Sequence, residues 1–269
     1  MTRRQMTNML VVLLLLIITA TTQAQVGAEI YQQMSPPVRT AFITAQAETI
    51  ALEISGRPYY FSPEFISAIH QNVDAYLSRS PRVDGDKRDL RVVLVRGRAH
   101  APALGAAFRA RNLSQLFGIY LPWIESEYVN IQQPNAMGAI GMFQFLPQTG
   151  ERYGLSVDEL LDVEKSADAA ARYLLDSIER FKHDSMREAL ALLAYNRGGR
   201  KVSEDLALLA TDQNSACSIC ALTAASSRLD NTFQGESVHY VPRFFAAAII
   251  GENPRAFGFA SEPLSSYAK

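Results

Sequence analysis

From residue 113 onward the apolar residues recur every three to four positions, and this periodicity limits the chain to packed helices. Leu113, Leu116, Phe117, Tyr120 and Ile124 mark one face of a helix expected over Ser114 to about Ser126. Ala170, Tyr173, Leu174, Ile178 and Phe181 form a second stripe after Ser166, with Arg172, Asp176, Glu179 and Arg180 outside it. This is expected to be the longest helix. Pro147 should open a short helix that Gly154 closes, and Ser156 with Glu159 has the spacing of a capping box. A further helix over Met186 to about Tyr195 runs into Asn196-Arg197-Gly198-Gly199, and HYVPRFFAAAII is apolar enough for a final buried helix. The stretch from Arg200 to Gly235 shows less pattern.

Upstream, PPVRTAFITAQAETIALEI and FSPEFISAIHQNVDAYLSR look helical and are followed by the turn-forming RSPRVDGDKRD. The run LRVVLV is too short for periodicity to decide between strand and helix. Mainly α architecture follows. The organisation expected is a signal segment over 1–24, a helical region over 25–110, a central domain over 111–250 and a tail over 251–269.

Composition narrows the function. With 26 basic and 27 acidic residues, the chain has no basic field of the kind that phosphate binding uses, so nucleic acid is not an expected partner. Arg3 and Arg4 precede the apolar run Met9 to Ile18, and Thr22 and Ala24 follow at the spacing that a signal peptidase reads. That run is shorter than the roughly 20 residues of a membrane-spanning helix, so cleavage and export are expected, to the periplasm or another part of the envelope. Cys217 and Cys220, the only cysteines, are expected to form a local disulfide in an exported chain. The four histidines, at 70, 100, 183 and 239, lack metal-ligand spacing, so neither a metal nor another cofactor is expected.

One carboxylate has unusual neighbours. Glu125 stands in LPWIESEYV, beside Trp123 and Ile124 and one turn after Pro122, which removes a backbone hydrogen bond and bends a helix. A Glu at a helix end is ordinarily solvated. Held against aromatic groups, the same side chain would keep its proton near neutral pH and could serve as an acid.

Four segments place Glu125 in context: Glu125-Ser126-Glu127-Tyr128, Gly138 through Thr149 (GAIGMFQFLPQT), Ala194-Tyr195-Asn196-Arg197-Gly198, and Glu236-Ser237-Val238-His239-Tyr240-Val241-Pro242. Their order and approximate spacing resemble the lytic murein transglycosylases, whose catalytic domain is lysozyme-like. The closest resemblance is to the membrane-bound lytic transglycosylase D branch, whose DPEKS and long helix compare with DVEKSADAAARYLL here. The resemblance covers about Asn112 to Phe245.

It implies non-hydrolytic cleavage of the β-1,4 bond between N-acetylmuramic acid and N-acetylglucosamine, leaving a 1,6-anhydro ring, with Glu125 first acid and then base. By the same resemblance the sugar site includes Ser126, Phe143, Gln144, Tyr195, Asn196, Glu236 and Tyr240. Ser126 is read as bonding into the following turn, Asn196 as ordering its own turn, and Glu236 as a supporting polar group and not a nucleophile. Phe143 and Asn135 depart from the family's usual residues, which bears on the details of the subsites. The alternatives are a water-using muramidase similar to goose-type lysozyme, or a catalytically silent wall-binding scaffold. The expected partner is the peptidoglycan glycan strand, with an envelope protein as a possible second partner through the N-terminal region, and a monomer is the expected state.

Overall fold

The computed structural model describes residues 30–79, 89–209 and 217–269. The signal segment and nearly all of RSPRVDGDKRD lie outside them. Among the described residues the fold is helical, and the only β pairing is one isolated antiparallel bridge, between Ile140 and Phe145. The ten α-helices found there, in chain order, are α1 (Pro36–Ser55), α2 (Pro63–Leu77), α3 (Leu90–Arg109), α4 (Gln115–Ser126), α5 (Pro147–Arg152), α6 (Val163–Arg180), α7 (Arg187–Arg197), α8 (Gly199–Leu209), α9 (Ser218–Ala224) and α10 (Val238–Glu252).

Local chemistry accounts for the boundaries. Ser62, Asp89, Ser114 and Asp162 each accept a backbone N–H from the first turn of the helix they precede, satisfying donors that the helix leaves orphaned. Pro36, Pro63 and Pro147 stand at the first helical position, where a missing N–H costs nothing. The capping box forms as expected: the Glu159 carboxylate accepts from the Ser156 N–H and hydroxyl, each at 3.0 Å.

Several expectations need correcting. LRVVLV is the start of α3, a 20-residue helix, and the longer α3 supplies the periodicity that six residues could not. The helix expected after Ser166 begins at Val163, because Asp162 caps it, and at 18 residues it is shorter than α1 and α3. The weakly patterned stretch after Arg200 contributes α8 and α9. Cys217 and Cys220 are bonded to each other at the start of α9.

Helix α10 is apolar around most of its circumference and so must be enclosed. It is buried against α1, α2, α4 and α7, while α3 packs on α4 and α6. The hydrophobic core is continuous from Tyr31 to Ala268, and the boundary expected at 110 falls between α3 and α4, two helices that pack on each other. Three polar ties reinforce this. The buried Glu188 of α7 accepts from Tyr59 Oη at 2.9 Å and from Arg57 at 2.5 Å, joining the α1–α2 connection to α7. The Ser62 N–H, at the start of α2, donates to the Cys220 sulfur at 3.3 Å. The final segment is no loose tail: Leu264 and Ala268 are fully buried, and Glu252 accepts from the Ser265 N–H and hydroxyl and from Tyr120.

Gly118 permits a close helix contact between α4 and α3. A Cβ there would lie 2.6 Å from the Leu104 carbonyl oxygen of α3, and a backbone atom cannot swing aside. Gly118→Ala is therefore expected to destabilise the protein by about 1–3 kcal/mol, as overpacking does. A denaturant melt should show a lower midpoint with an unchanged slope.

Candidate active site

Glu125 occupies the last turn of α4. The helix stops immediately afterwards, because Glu127 and Tyr128 both take left-handed backbone, at φ 52° and 60°, and their N–H groups return to Trp123 O and Pro122 O. Ser126 Oγ donates to Met142 O at 2.7 Å, tying the helix end to the loop that carries the second motif.

That loop is folded tightly by backbone contacts. Ile140 and Phe145 exchange two N–H···O bonds of 3.1 Å. Gly141 sits at φ +79°, and a Cβ there would lie 2.4 Å from the Leu160 carbonyl oxygen, so only glycine fits. Gln144 is held at φ +50°; its Nε2 donates to Gly141 O at 2.7 Å, and its Oε1 accepts from Asn135 at 3.3 Å. Asn135 Oδ1 also accepts the N–H groups of Met137 and Ala139, at 2.9 and 3.1 Å. The asparagine that departed from the family pattern thus orders this turn and braces Gln144.

The other two motifs meet across the cleft from this loop. Tyr195 Oη donates to Phe143 O at 3.0 Å. Asn196 Nδ2 donates to Glu236 Oε1, and Asn196 Oδ1 accepts from Ser237 Oγ, both at 2.8 Å. Glu236 and Ser237 lie in a single π-helical turn, Phe233–Ser237, that leads into α10. One turn into α10, Tyr240 donates its hydroxyl hydrogen to Glu125 Oε1.

These groups surround a cavity of about 540 Å³, which Glu125, Gln144, Tyr195, Asn196, Glu236 and Tyr240 all line. Two of the expected sugar-site residues are elsewhere. Phe143 is fully buried with its ring against Phe108, so it reaches the site only through its carbonyl. Ser126 has its hydroxyl committed to backbone and does not line the cavity. Sequence reasoning missed Arg243, three residues after Tyr240 and therefore on the same helix face, together with the rim residues Met137 and Leu146. The i, i+3 spacing from Tyr240 was the available signal for Arg243.

Burial pushes the Glu125 carboxyl up from its ordinary range to about 7. The Tyr240 hydrogen bond and the Arg243 charge pull it down, and the neighbouring Glu236 pushes it up. The acid is therefore largely protonated below neutrality and ionises near it.

This raised pKa makes stability depend on pH. Between the ordinary Glu range and about pH 7 the folded chain holds a proton that the unfolded chain has released, so stability falls as pH rises through that window. Glu125→Gln removes the ionisation. The variant should be more stable than the wild type at pH 8, by on the order of 1–3 kcal/mol, since each tenfold difference in proton affinity between folded and unfolded chains is worth ~1.4 kcal/mol. Thermal melts should show the difference closing by about pH 5.

Residues 105–215 match the family model described as Transglycosylase SLT domain. A search of curated proteins gives no match. The matched stretch contains Glu125, Gln144, Tyr195 and Asn196 and ends before Glu236, Tyr240 and Arg243, which the fold of the following residues brings back to the acid. Residues 105–215 are thus similar to a transglycosylase SLT domain, and among the described residues the fold is mainly α and lysozyme-like.

Proposed function

We propose that the protein is an exported peptidoglycan lytic transglycosylase, nearest in its motifs to the membrane-bound lytic transglycosylase D branch, with Glu125 as its single acid and base. The observation that carries this reading is the lone carboxyl pushed up to about 7, at the wall of a cavity inside the matched domain. A group with that ionisation is suited to donate a proton and then accept one at the same pH.

Glu125 protonates the oxygen that leaves C1 of the muramic residue as the C1–O bond breaks. The 6-hydroxyl of the same sugar then attacks C1, and its proton returns to the Glu125 carboxylate. The new C1–O6 bond closes the anhydro ring, and no water is consumed. The nucleophile is already part of the substrate, and well-oriented intramolecular closures gain effective molarities of about 10⁵ M or more. A second carboxylate acting as nucleophile or base, as in ordinary glycosidases, is not required.

Glu236 lines the cavity, but its Oε1 accepts from the Asn196 amide, which suits a positioning role. Tyr240 and Arg243 limit how far burial raises Glu125, keeping the acid able to ionise after it has given up its proton. Gln144, held by bonds from both ends of its amide, offers its remaining capacity to a sugar hydroxyl or N-acetyl group.

Two measurements test the proposal. Digestion of purified sacculi should release muramic ends that borohydride does not reduce, and Glu125→Gln should lower the rate at least 10³-fold, a loss of more than ~4 kcal/mol in transition-state stabilisation. Reducible ends would mean hydrolysis, and undiminished digestion by Glu125→Gln would remove the acid from the mechanism. Glu236→Gln should keep activity within about tenfold of wild type, on the scale of one lost supporting contact. A loss as large as that of Glu125→Gln would make Glu236 a second catalytic carboxylate.

A further inference from the structure

A second cavity, of about 440 Å³, adjoins the cleft, and Thr149, Tyr173, Arg197 and Gly198 belong to the walls of both. Its remaining wall is strongly basic. Arg152 closes α5, Arg180 closes α6, and Arg200 and Lys201 stand in the first turn of α8, facing a single carboxylate, Asp176.

These cations are not equivalent. Arg197 is buried and paired with Asp205 and Asp230. Lys201 lies 3.3 Å from Asp230, and Arg200 lies 3.4 Å from Glu204. Arg152 and Arg180, by contrast, have no carboxylate at ion-pairing distance among the described residues. Arg180 lies directly over Gly199, where a Cβ would come within 2.8 Å of its Nε, so the glycine leaves room for this guanidinium at the cavity. Asp176 Oδ2 accepts from Tyr153 Oη at 2.9 Å, and Asp176 has no cationic partner among the described residues.

We propose that this basic cavity receives the charged end of the peptide arm borne by the strand in the cleft. A carboxylate of the arm sits on Arg152 and Arg180, and an ammonium group of the same residue sits on Asp176. The inference rests on the reading of the cleft as a glycan-strand site. A muramic residue carries its peptide on the lactyl ether, so a strand in the cleft must send that arm sideways, and the shared walls provide the route. Guanidinium forks match carboxylates in a planar, two-bond geometry and stay charged at any relevant pH. The opposed Asp176 favours a zwitterionic amino acid over a simple anion such as phosphate. The protein accordingly prefers strands that keep their peptides to strands stripped of them.

The test compares peptide-bearing glycan strands with strands stripped by an amidase, using wild type and the double variant Arg152→Ala/Arg180→Ala. Both side chains are exposed, so the fold should survive, and a thermal melt checks that it does. The double variant should lose about tenfold in kcat/KM on peptide-bearing strands, the equivalent of ~1.4 kcal/mol, and change less than about twofold on stripped ones. Equal losses on both substrates, or no loss on either, would overturn the proposal.

A second arm separates this site from the chemistry of the cleft. A free tripeptide ending in a diamino acid is titrated into the full chain carrying Glu125→Gln, with and without the two arginine changes. Saturable binding that weakens about tenfold without the arginines supports the cavity even if no strand is cleaved. Absence of binding, or binding indifferent to the arginines, overturns it even if the sugar chemistry stands.

Discussion

The site depends on how poorly water solvates one carboxyl group. Glu125 is placed at the end of α4, where Tyr240 and Arg243 of α10 stand beside its carboxyl, and burial is the largest influence on its ionisation. Burial favours the neutral form, which can give a proton, whereas the base that follows has to be ionised. The Tyr240 hydroxyl and the Arg243 charge oppose burial, and the balance lies close to neutrality. Proton donation and proton recovery by one group require that balance.

The rest of the molecule keeps the niche dry and its walls in place. Helix α10 carries Tyr240 and Arg243, and it can be so apolar only because α1, α2, α4 and α7 enclose it. The N-terminal helices are therefore part of the core behind the acid. The last residues contribute too: Leu264 and Ala268 fill space against α3, and the Glu252 cluster ties them to Tyr120 on the acid's own helix. The C-terminal segment thus reaches the site through packing and does not line its cavity.

Much of this arrangement was legible in the sequence, for identifiable reasons. The stripes around Phe117 and Leu174 reported helix faces directly, because burial on one side imposes the 3.6-residue period. Caps such as Ser114 and the Ser156/Glu159 pair set boundaries through local hydrogen bonds that need no tertiary context. Glu125 stood out as a candidate acid from its apolar neighbours together with three distant motifs, and the fold brings residues of those motifs to the same cavity. What escaped was determined by contacts distant in sequence. Phe143 occupies a motif position beside Gln144, yet alternation along the loop turns its ring into the core against Phe108. Arg243 had only its i, i+3 spacing from Tyr240 to mark it, and its effect on Glu125 follows from laying α10 against α4. The partnership between Arg152 and Arg180 joins the ends of two helices 28 residues apart, and only their shared cavity reveals it.

The most direct test is the ionisation of Glu125 observed in the folded protein. Carbon-13 labelling of the glutamate carboxyls, with the Glu125→Gln spectrum used to assign the signal, gives its titration midpoint by NMR. The account predicts a midpoint near 7 for this one carboxyl. A midpoint at the ordinary value for glutamate, near 4.3, would mean a solvated, ionised side chain at neutral pH, and a proton donor of the kind described here would not exist.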